Sequence, residues 1–120
     1  MQESLAPGIE DTRDYEVLAD MSPGHLPVAV LSTPSMIGLI EGTCLGLTQR
    51  HLDPDETSVG THVCVSHEAA VSVGERITVW CQLKSREKRR LEFDVRVEGP
   101  RGQVSTGTHQ RAVIKTSRLG

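Results

Sequence analysis

Two hydrophobic periodicities meet at Pro54. On its N-terminal side, SMIGLIEGTCLGL (residues 35–47) is almost continuously apolar and predicts one helix that ends before Pro54. Ser32 or Thr33 is suited to cap this helix, and Pro34 suits its first position. On the C-terminal side, apolar and polar residues alternate, which predicts β-strands within residues 59–71, 76–85, 89–99 and 102–116. A further strand is predicted within residues 11–20.

The alternation gives each strand one apolar face, as in the third segment, where Leu91, Phe93, Val95 and Val97 share a side. Such strands are typical of an antiparallel sheet with one dry face. A single long helix would lie on that face. The predicted fold class is therefore α+β in one domain over residues 1–120, with residues 1–9 as a loose N-terminal arm.

The positions of two individual residues follow from the same pattern. In the segment 59–71, His67 has the parity of Val63 and Val65, which predicts that it faces the helix, whereas His62 should be exposed. Gly107 interrupts the alternation of the last segment and predicts a β-bulge.

Composition narrows the classes of function. A net charge of −3 and only three aromatic residues argue against a nucleic-acid-binding surface. No apolar run approaches the roughly 20 residues that span a bilayer, and the first residues lack the features of a signal peptide. The three cysteines show no C-x-x-C spacing and the histidines no H-E-x-x-H motif, so we expect reduced thiols, a cytoplasmic location and no metal.

One basic run, KSREKRR (residues 84–90), has two interpretations. It can be the solvated tip of a hairpin, or it can contact the phosphates of a ligand.

A carboxylate interrupts the apolar helix. At about 100° per residue, Glu41 lies only about 40° from Ile37 and should point at or beside the sheet. Because His67 is predicted to face the same side, the two residues together could form a general acid/base site. A strip without side chains runs along the helix next to them, at Gly38, Gly42 and Gly46, and would let a backbone or a ligand approach closely.

Each of these residues also has a structural explanation. An inward histidine can be a core residue with its hydrogen bonds satisfied, a helix glutamate can bind an arginine, and Thr33 can serve only as a cap. Thr33 and Glu41 are about 12 Å apart along a straight helix. A site that contains both would therefore take one of them from a second subunit, which predicts a dimer.

Three stretches resemble the hotdog-fold acyl-CoA thioesterases, and most closely the fluoroacetyl-CoA thioesterase type: TPSMIGLIEGTC (33–44), LDPDETSVGTHVCVSHEA (52–69) and GTHQRAVI (107–114). The family pattern has a threonine before the central helix, a glutamate within it, a histidine after a Gly-Thr pair and an arginine in the final strand. The resemblance implies one long central helix wrapped by a curved antiparallel sheet. It also implies a homodimer that hydrolyses acyl-CoA at its subunit interface.

The resemblance assigns roles to five residues. Thr33, Glu41 and His67 take the catalytic positions. Gly60 offers a backbone N–H near the reacting carbonyl or water, and Arg111 belongs to the substrate-binding surround. No cofactor is expected, and Glu41 can act either as the nucleophile or as the general base that activates water.

One departure from the family pattern bears on which acyl group the protein would accept. The fluoroacetate-selective member has aromatic residues before the helix that cover a small pocket, whereas MSPGHLPVAVLS (residues 21–32) has none. We therefore expect hydrolysis of a short or medium acyl thioester without fluoroacyl selectivity, with the carrier either CoA or an acyl carrier protein. The alternative is a non-catalytic module that binds acyl-CoA or another small ligand on the same scaffold.

Overall fold

The computed structural model describes residues 1–119, which form one long helix and one five-stranded antiparallel sheet. The helix is α1 (Thr33–Gln49), and the strands are β1 (Glu10–Glu16), β2 (Glu56–Val65), β3 (Arg76–Glu87), β4 (Arg90–Gly99) and β5 (Gly102–Lys115). The strands lie in the order β1-β3-β4-β5-β2, so that β2 is an edge strand. The α+β class predicted from the sequence is confirmed.

The two ends of α1 lie where the capping residue Ser32 and the helix-ending Pro54 predict them. Ser32 is the N-cap, and its side-chain oxygen accepts a hydrogen bond from Ser35 N at 3.2 Å. The helix ends at Gln49, before Pro54. The buried face of α1 carries Met36, Ile40, Thr43, Cys44, Leu47 and Thr48. Burial of a side chain such as Ile40 contributes about 1.5–3 kcal/mol relative to exposure.

The alternation of β3 and β4 is confirmed, and these strands supply much of the inner face of the sheet. The antiparallel register pairs Val79 with Val97, and Leu83 with Phe93, so apolar residues of both strands lie on the same side. The buried residues of the two strands are at most 1% exposed: Ile77, Val79, Cys81, Leu83, Leu91, Phe93, Val95 and Val97.

Strand β2 does not keep the single parity that the sequence predicts. Its register with β5 shifts between Gly60 and His62, which marks a β-bulge. Because an extra residue reverses which side chains face the helix, Val59, predicted to point inward, is 38% exposed. The strand ends at Val65, and His67 therefore lies in the following loop rather than on the strand.

Gly107 is not a bulge, so that prediction is wrong. It is paired in register with Val65 of β2 and with Val95 of β4. A side chain there would collide with the carbonyl oxygen of Cys64, so the close approach of β2 is what requires a glycine. The register of β5 with β4 shifts at Val104 instead.

Residues 1–9 pack onto the fold and do not form the predicted loose arm. Leu5 is fully buried, and Gly8 N donates a hydrogen bond to Leu83 O at 2.8 Å. The terminal ammonium of Met1 forms an ion pair with Glu56, which is only 4% exposed. The arm thus adds an apolar side chain and a charge pair to the same core.

Cys44, Cys64 and Cys81 are free thiols. None of the helices within residues 1–119 has the length and apolar character needed to cross a membrane.

Candidate active site

Thr33 and His67 are in direct contact. Thr33 Oγ1 and His67 Nδ1 are 2.8 Å apart. The first turn of α1 presents the threonine, and the loop after β2 presents the histidine. That loop is held to β5 because Glu68 N donates to Val104 O at 2.7 Å. A hydroxyl and an imidazole at this distance can transfer or share a proton.

The Thr33–His67 pair lines a cleft of about 450 Å³ between the loop before α1 and the loop after β2. The apolar part of its lining includes Leu26, Val30 and Ala69. Leu26 is 43% exposed, so an apolar side chain stands at the mouth of the cleft. A pocket of this size with few polar groups is typical of a small-molecule site.

The Glu41 carboxylate lies against the backbone of Gly60 and is half-buried. A Cβ added to Gly60 would lie 3.1 Å from Glu41 Oε2. The same point is 3.3 Å from His109 Cε1 and 3.5 Å from Arg111 Nη1. Side chains from α1 and β5 therefore converge on one glycine of β2, and a residue with a side chain would crowd them.

Arg111 is a buried charged residue, only 5% exposed, and three hydrogen bonds hold its guanidinium in place. Its Nε donates to Ser58 Oγ at 2.8 Å, and its Nη2 donates to Ser58 O at 3.0 Å. Its Nη1 lies 3.0 Å from His109 Nε2. Burial lowers the pKa of Arg111, and the negative charge of Glu41 opposes that shift. The guanidinium places a fixed positive charge beside the carboxylate.

His109 belongs to the same group and was not singled out from the sequence. It is fully buried, and its Nδ1 lies 2.8 Å from His62 O. Burial is the main reason that the pKa of His109 is lowered, and the charge of Arg111 lowers it further. The signal available in the sequence was parity, because His109 precedes Arg111 by two residues on one strand and must face the same side.

The five predicted site residues fall into two groups within one chain. Thr33 and His67 form one group in the cleft, and Glu41, Gly60 and Arg111 form the other at the middle of α1. About 12 Å of helix axis separates the threonine from the glutamate. Within residues 1–119, no three His, Cys, Asp or Glu side chains are placed to hold a metal ion. The groups present can donate and accept hydrogen bonds, transfer protons and offer a carboxylate.

Comparison with known proteins agrees with this fold. The fluoroacetyl-CoA-specific thioesterase family matches residues 14–117. The fluoroacetyl-CoA thioesterase of Streptantibioticus cattleyicolor is 35% identical over 128 residues, which cover 99% of this chain and 92% of that protein. A crystal structure of a point variant of a fluoroacetyl-CoA-specific thioesterase, in complex with fluoroacetate and CoA, has a TM-score of 0.91 at 33% identity, covering 97% of this chain and all (100%) of the other.

A more distant structure shows the fold alone. A thioesterase superfamily member from Thermus thermophilus is 18% identical with a TM-score of 0.88, and the match covers 98% of this chain and 90% of the other. One long helix on a curved five-stranded antiparallel sheet, shared with these structures, is the hotdog fold, and the relatives above 30% identity are thioester hydrolases. The chain belongs to the fluoroacetyl-CoA-specific thioesterase family.

Proposed function

We propose that the protein hydrolyses short or medium acyl-CoA thioesters at a site composed of Thr33, Glu41 and His67 from two subunits of a homodimer. The observation that carries this proposal is the placement of the Glu41 carboxylate against Gly60, beside the positive charge of Arg111. This carboxylate, next to a backbone position without a side chain, is the group that acts on the thioester in the proposed reaction.

The residues divide the reaction between them. Glu41 either removes a proton from the attacking water or attacks the thioester carbon itself. The Gly60 N–H is the proposed donor to the oxygen that becomes negatively charged in the transition state. When the C–S bond breaks, His67 supplies a proton to the departing thiolate, and Thr33 orients its ring through the 2.8 Å contact.

The edge strand β2 supports the homodimer. Ten residues long, it lies at the end of the sheet, and Val59, Gly60, Thr61 and His62 in its middle are all exposed. A long open edge of this kind is normally covered, most simply by the same strand of a second copy. We propose that two β2 strands pair antiparallel in a register that brings the Thr33–His67 end of one copy towards Glu41 of the other.

The lining and the volume of the cleft support a substrate whose acyl group is not fluoroacetyl. The segment 21–32 contributes Leu26 and Val30 to its lining and contains no aromatic residue. We propose that this chain shares thioester hydrolysis with the fluoroacetyl-CoA thioesterases and accepts a larger, non-fluorinated acyl group. A volume of about 450 Å³ leaves space for more than two carbons.

The test is release of free thiol from a panel of acyl-CoA esters, from acetyl and fluoroacetyl to long-chain and aromatic, with wild type and Glu41→Gln side by side. We expect turnover of short or medium esters by wild type and a loss of about 10²- to 10⁴-fold in Glu41→Gln, the range for removal of a positioned acid/base.

Glu98→Gln is the matched control, because Glu98 is an exposed carboxylate on the outer face of the sheet that pairs with Arg96. Full activity in Glu41→Gln would refute the assignment of Glu41. Tight binding of acyl-CoA by wild type without turnover would favour the binding-module alternative.

A further inference from the structure

The hydrogen bonds of His109 determine its tautomer. A carbonyl oxygen only accepts, so Nδ1 must carry the hydrogen that is donated to His62 O at 2.8 Å. A guanidinium only donates, so Nε2 must be the bare nitrogen that accepts from Arg111 Nη1 at 3.0 Å. Both contacts are satisfied only by the neutral ring with its hydrogen on Nδ1.

Protonation would break this arrangement. A second hydrogen on Nε2 would point at the N–H of Arg111 and would add a positive charge beside the guanidinium. The charged or titratable groups around the ring are Arg111 from β5, Glu41 from α1 and, from β2, His62. Phe93 of β4 lies stacked on the other side, with ring centroids 6.4 Å apart, which keeps the ring in place.

Arg111 is thereby held on all sides. Ser58 accepts two of its hydrogen bonds, and His109 accepts the third. The third bond is the one that involves Nη1, the atom that lies 3.5 Å from the point where a Gly60 Cβ would be. The histidine therefore holds the nitrogen of the guanidinium that lies nearest to Gly60.

We propose that His109 is a positioning residue for thioester hydrolysis, acting as a permanent neutral acceptor that aims Arg111 Nη1 at Gly60 and the Glu41 carboxylate. This proposal rests on the function proposed above. It gives the buried histidine a role distinct from that of His67, because His109 transfers no proton and acts only through Arg111.

Two substitutions separate this role from mere packing. His109→Gln places a carbonyl oxygen near the position of Nε2, so it can still accept from Arg111. His109→Asn places its amide nitrogen near Nδ1, so it keeps the bond to His62 O but offers no acceptor to Arg111. Both variants lose the aromatic ring and its contact with Phe93, so they should lose similar thermal stability.

We expect kcat to fall about 10²-fold in His109→Asn with little change in KM, a loss typical of a displaced site group. His109→Gln should keep most of the wild-type kcat, because its side chain can still accept from Arg111. In an Arg111→Lys background, His109→Asn should cause little further loss, because the contact between the two side chains is already removed.

A spectroscopic measurement tests the hydrogen bonds independently of turnover. The ¹⁵N shifts of the His109 ring should show the neutral tautomer with the hydrogen on Nδ1, and this state should persist below the ordinary imidazole pKa of 6.5, because burial lowers the pKa of His109. A ring that carries its hydrogen on Nε2, or that is charged at neutral pH, would overturn the proposal.

The kinetic outcomes also distinguish the two proposals. Active wild type with equal kcat losses in the Asn and Gln variants would assign His109 a purely structural role and overturn this inference alone. Folded wild type that releases no thiol from any acyl-CoA would overturn the proposed function, and this inference with it.

Discussion

At the residue scale, Gly60 is the most crowded position of the site. Its absent side chain leaves the space that Glu41, His109 and Arg111 occupy from the other side. Gly60 has no positive φ, so its requirement for glycine comes from neighbouring atoms and not from backbone conformation. A substitution here therefore tests the geometry of the site without straining the strand.

We expect Gly60→Ala to lower kcat by about tenfold or more, because the new methyl group displaces the Glu41 carboxylate by a few tenths of an ångström or more. Thiol release gives kcat, and thermal unfolding shows whether the fold is intact. Thr12→Ala, at an exposed residue of β1 on the opposite edge of the sheet, is the control and should have normal activity. Normal turnover by folded Gly60→Ala would contradict the proposed role of this contact.

Glu56 is a second residue whose environment leads to a prediction. Its hydrogen bond with the Met1 ammonium is the main reason that the pKa of this carboxyl is lowered to about 2 from an ordinary value of 4.5. Because the lowered pKa belongs to the folded state, the contribution to stability is present above about pH 4.5 and is lost as the pH falls towards 2.

Glu56→Gln should therefore reduce the free energy of unfolding by about 1.5–3 kcal/mol at pH 7, a typical value for hydrogen bonds to a charged group. The difference between variant and wild type should shrink as the pH approaches 2. Urea denaturation at both pH values measures it, on protein with an unmodified N-terminus. A difference that stays constant with pH would show that the charge of Glu56 is not responsible.

At the scale of elements, β3 and β4 followed the sequence pattern and β2 did not. Each of the two central strands has neighbours on both sides and an uninterrupted apolar face. The edge strand β2 takes an extra residue between Gly60 and His62, and nothing in the alternation of its sequence marks that insertion. Parity assignments therefore held for the central strands and changed partway along β2.

The β3–β4 hairpin shows how the basic run KSREKRR is used. Arg86 donates to backbone oxygens of the N-terminal arm, and Arg89 lies 3.5 Å from Glu56, so part of the run holds the fold together. Lys88 and Arg90 are exposed and line a hollow at the turn. A second hollow extends from Arg90 to the edge strand at His62.

If these cations contact the phosphates of CoA, Lys88→Glu with Arg90→Glu should raise KM for acyl-CoA about tenfold or more and leave kcat nearly unchanged. KM for the corresponding acyl-pantetheine, which has no phosphates, should not change. Arg96→Glu, a single charge reversal on the outer face of the sheet, is the control for reversing a surface charge outside the run. An unchanged KM for acyl-CoA would leave the run as a solvated and structural turn.

At the scale of the whole molecule, the fold keeps the two groups of candidate site residues apart within one chain. The Thr33–His67 pair and the Glu41–Gly60–Arg111 group lie on one chain but at different positions along α1. The proposed dimer combines one group from each subunit, which can be tested by mixing inactive variants.

We expect that heterodimers of Glu41→Gln with His67→Ala regain roughly half of the activity of a wild-type dimer, because one of two sites is then intact. The heterodimers can be isolated with two different C-terminal tags, which leave the Met1 ammonium free. Sedimentation measures the oligomeric state. An inactive heterodimer would place each site within one chain, and a fully active monomer would contradict the dimeric site.

Local signals in the sequence indicated the helix, the faces of the central strands and the candidate site residues. Ser32 and Pro54 act within a few residues of themselves, and a period of two needs only neighbouring positions along the chain. Glu41 stood out for a local reason as well, since a carboxylate among apolar residues requires an explanation.

Which distant residues meet depends on how the strands and the helix pack. The docking of Leu5, the collision that requires Gly107, the bulge in β2 and the contact between Arg111 and Ser58 all join segments far apart in sequence. Such contacts depend on register and on the path of the backbone, and a single shift of one residue reverses a strand's faces. For this reason the contacts of His109 with His62 O and Arg111 follow only from the pairing of β2 with β5.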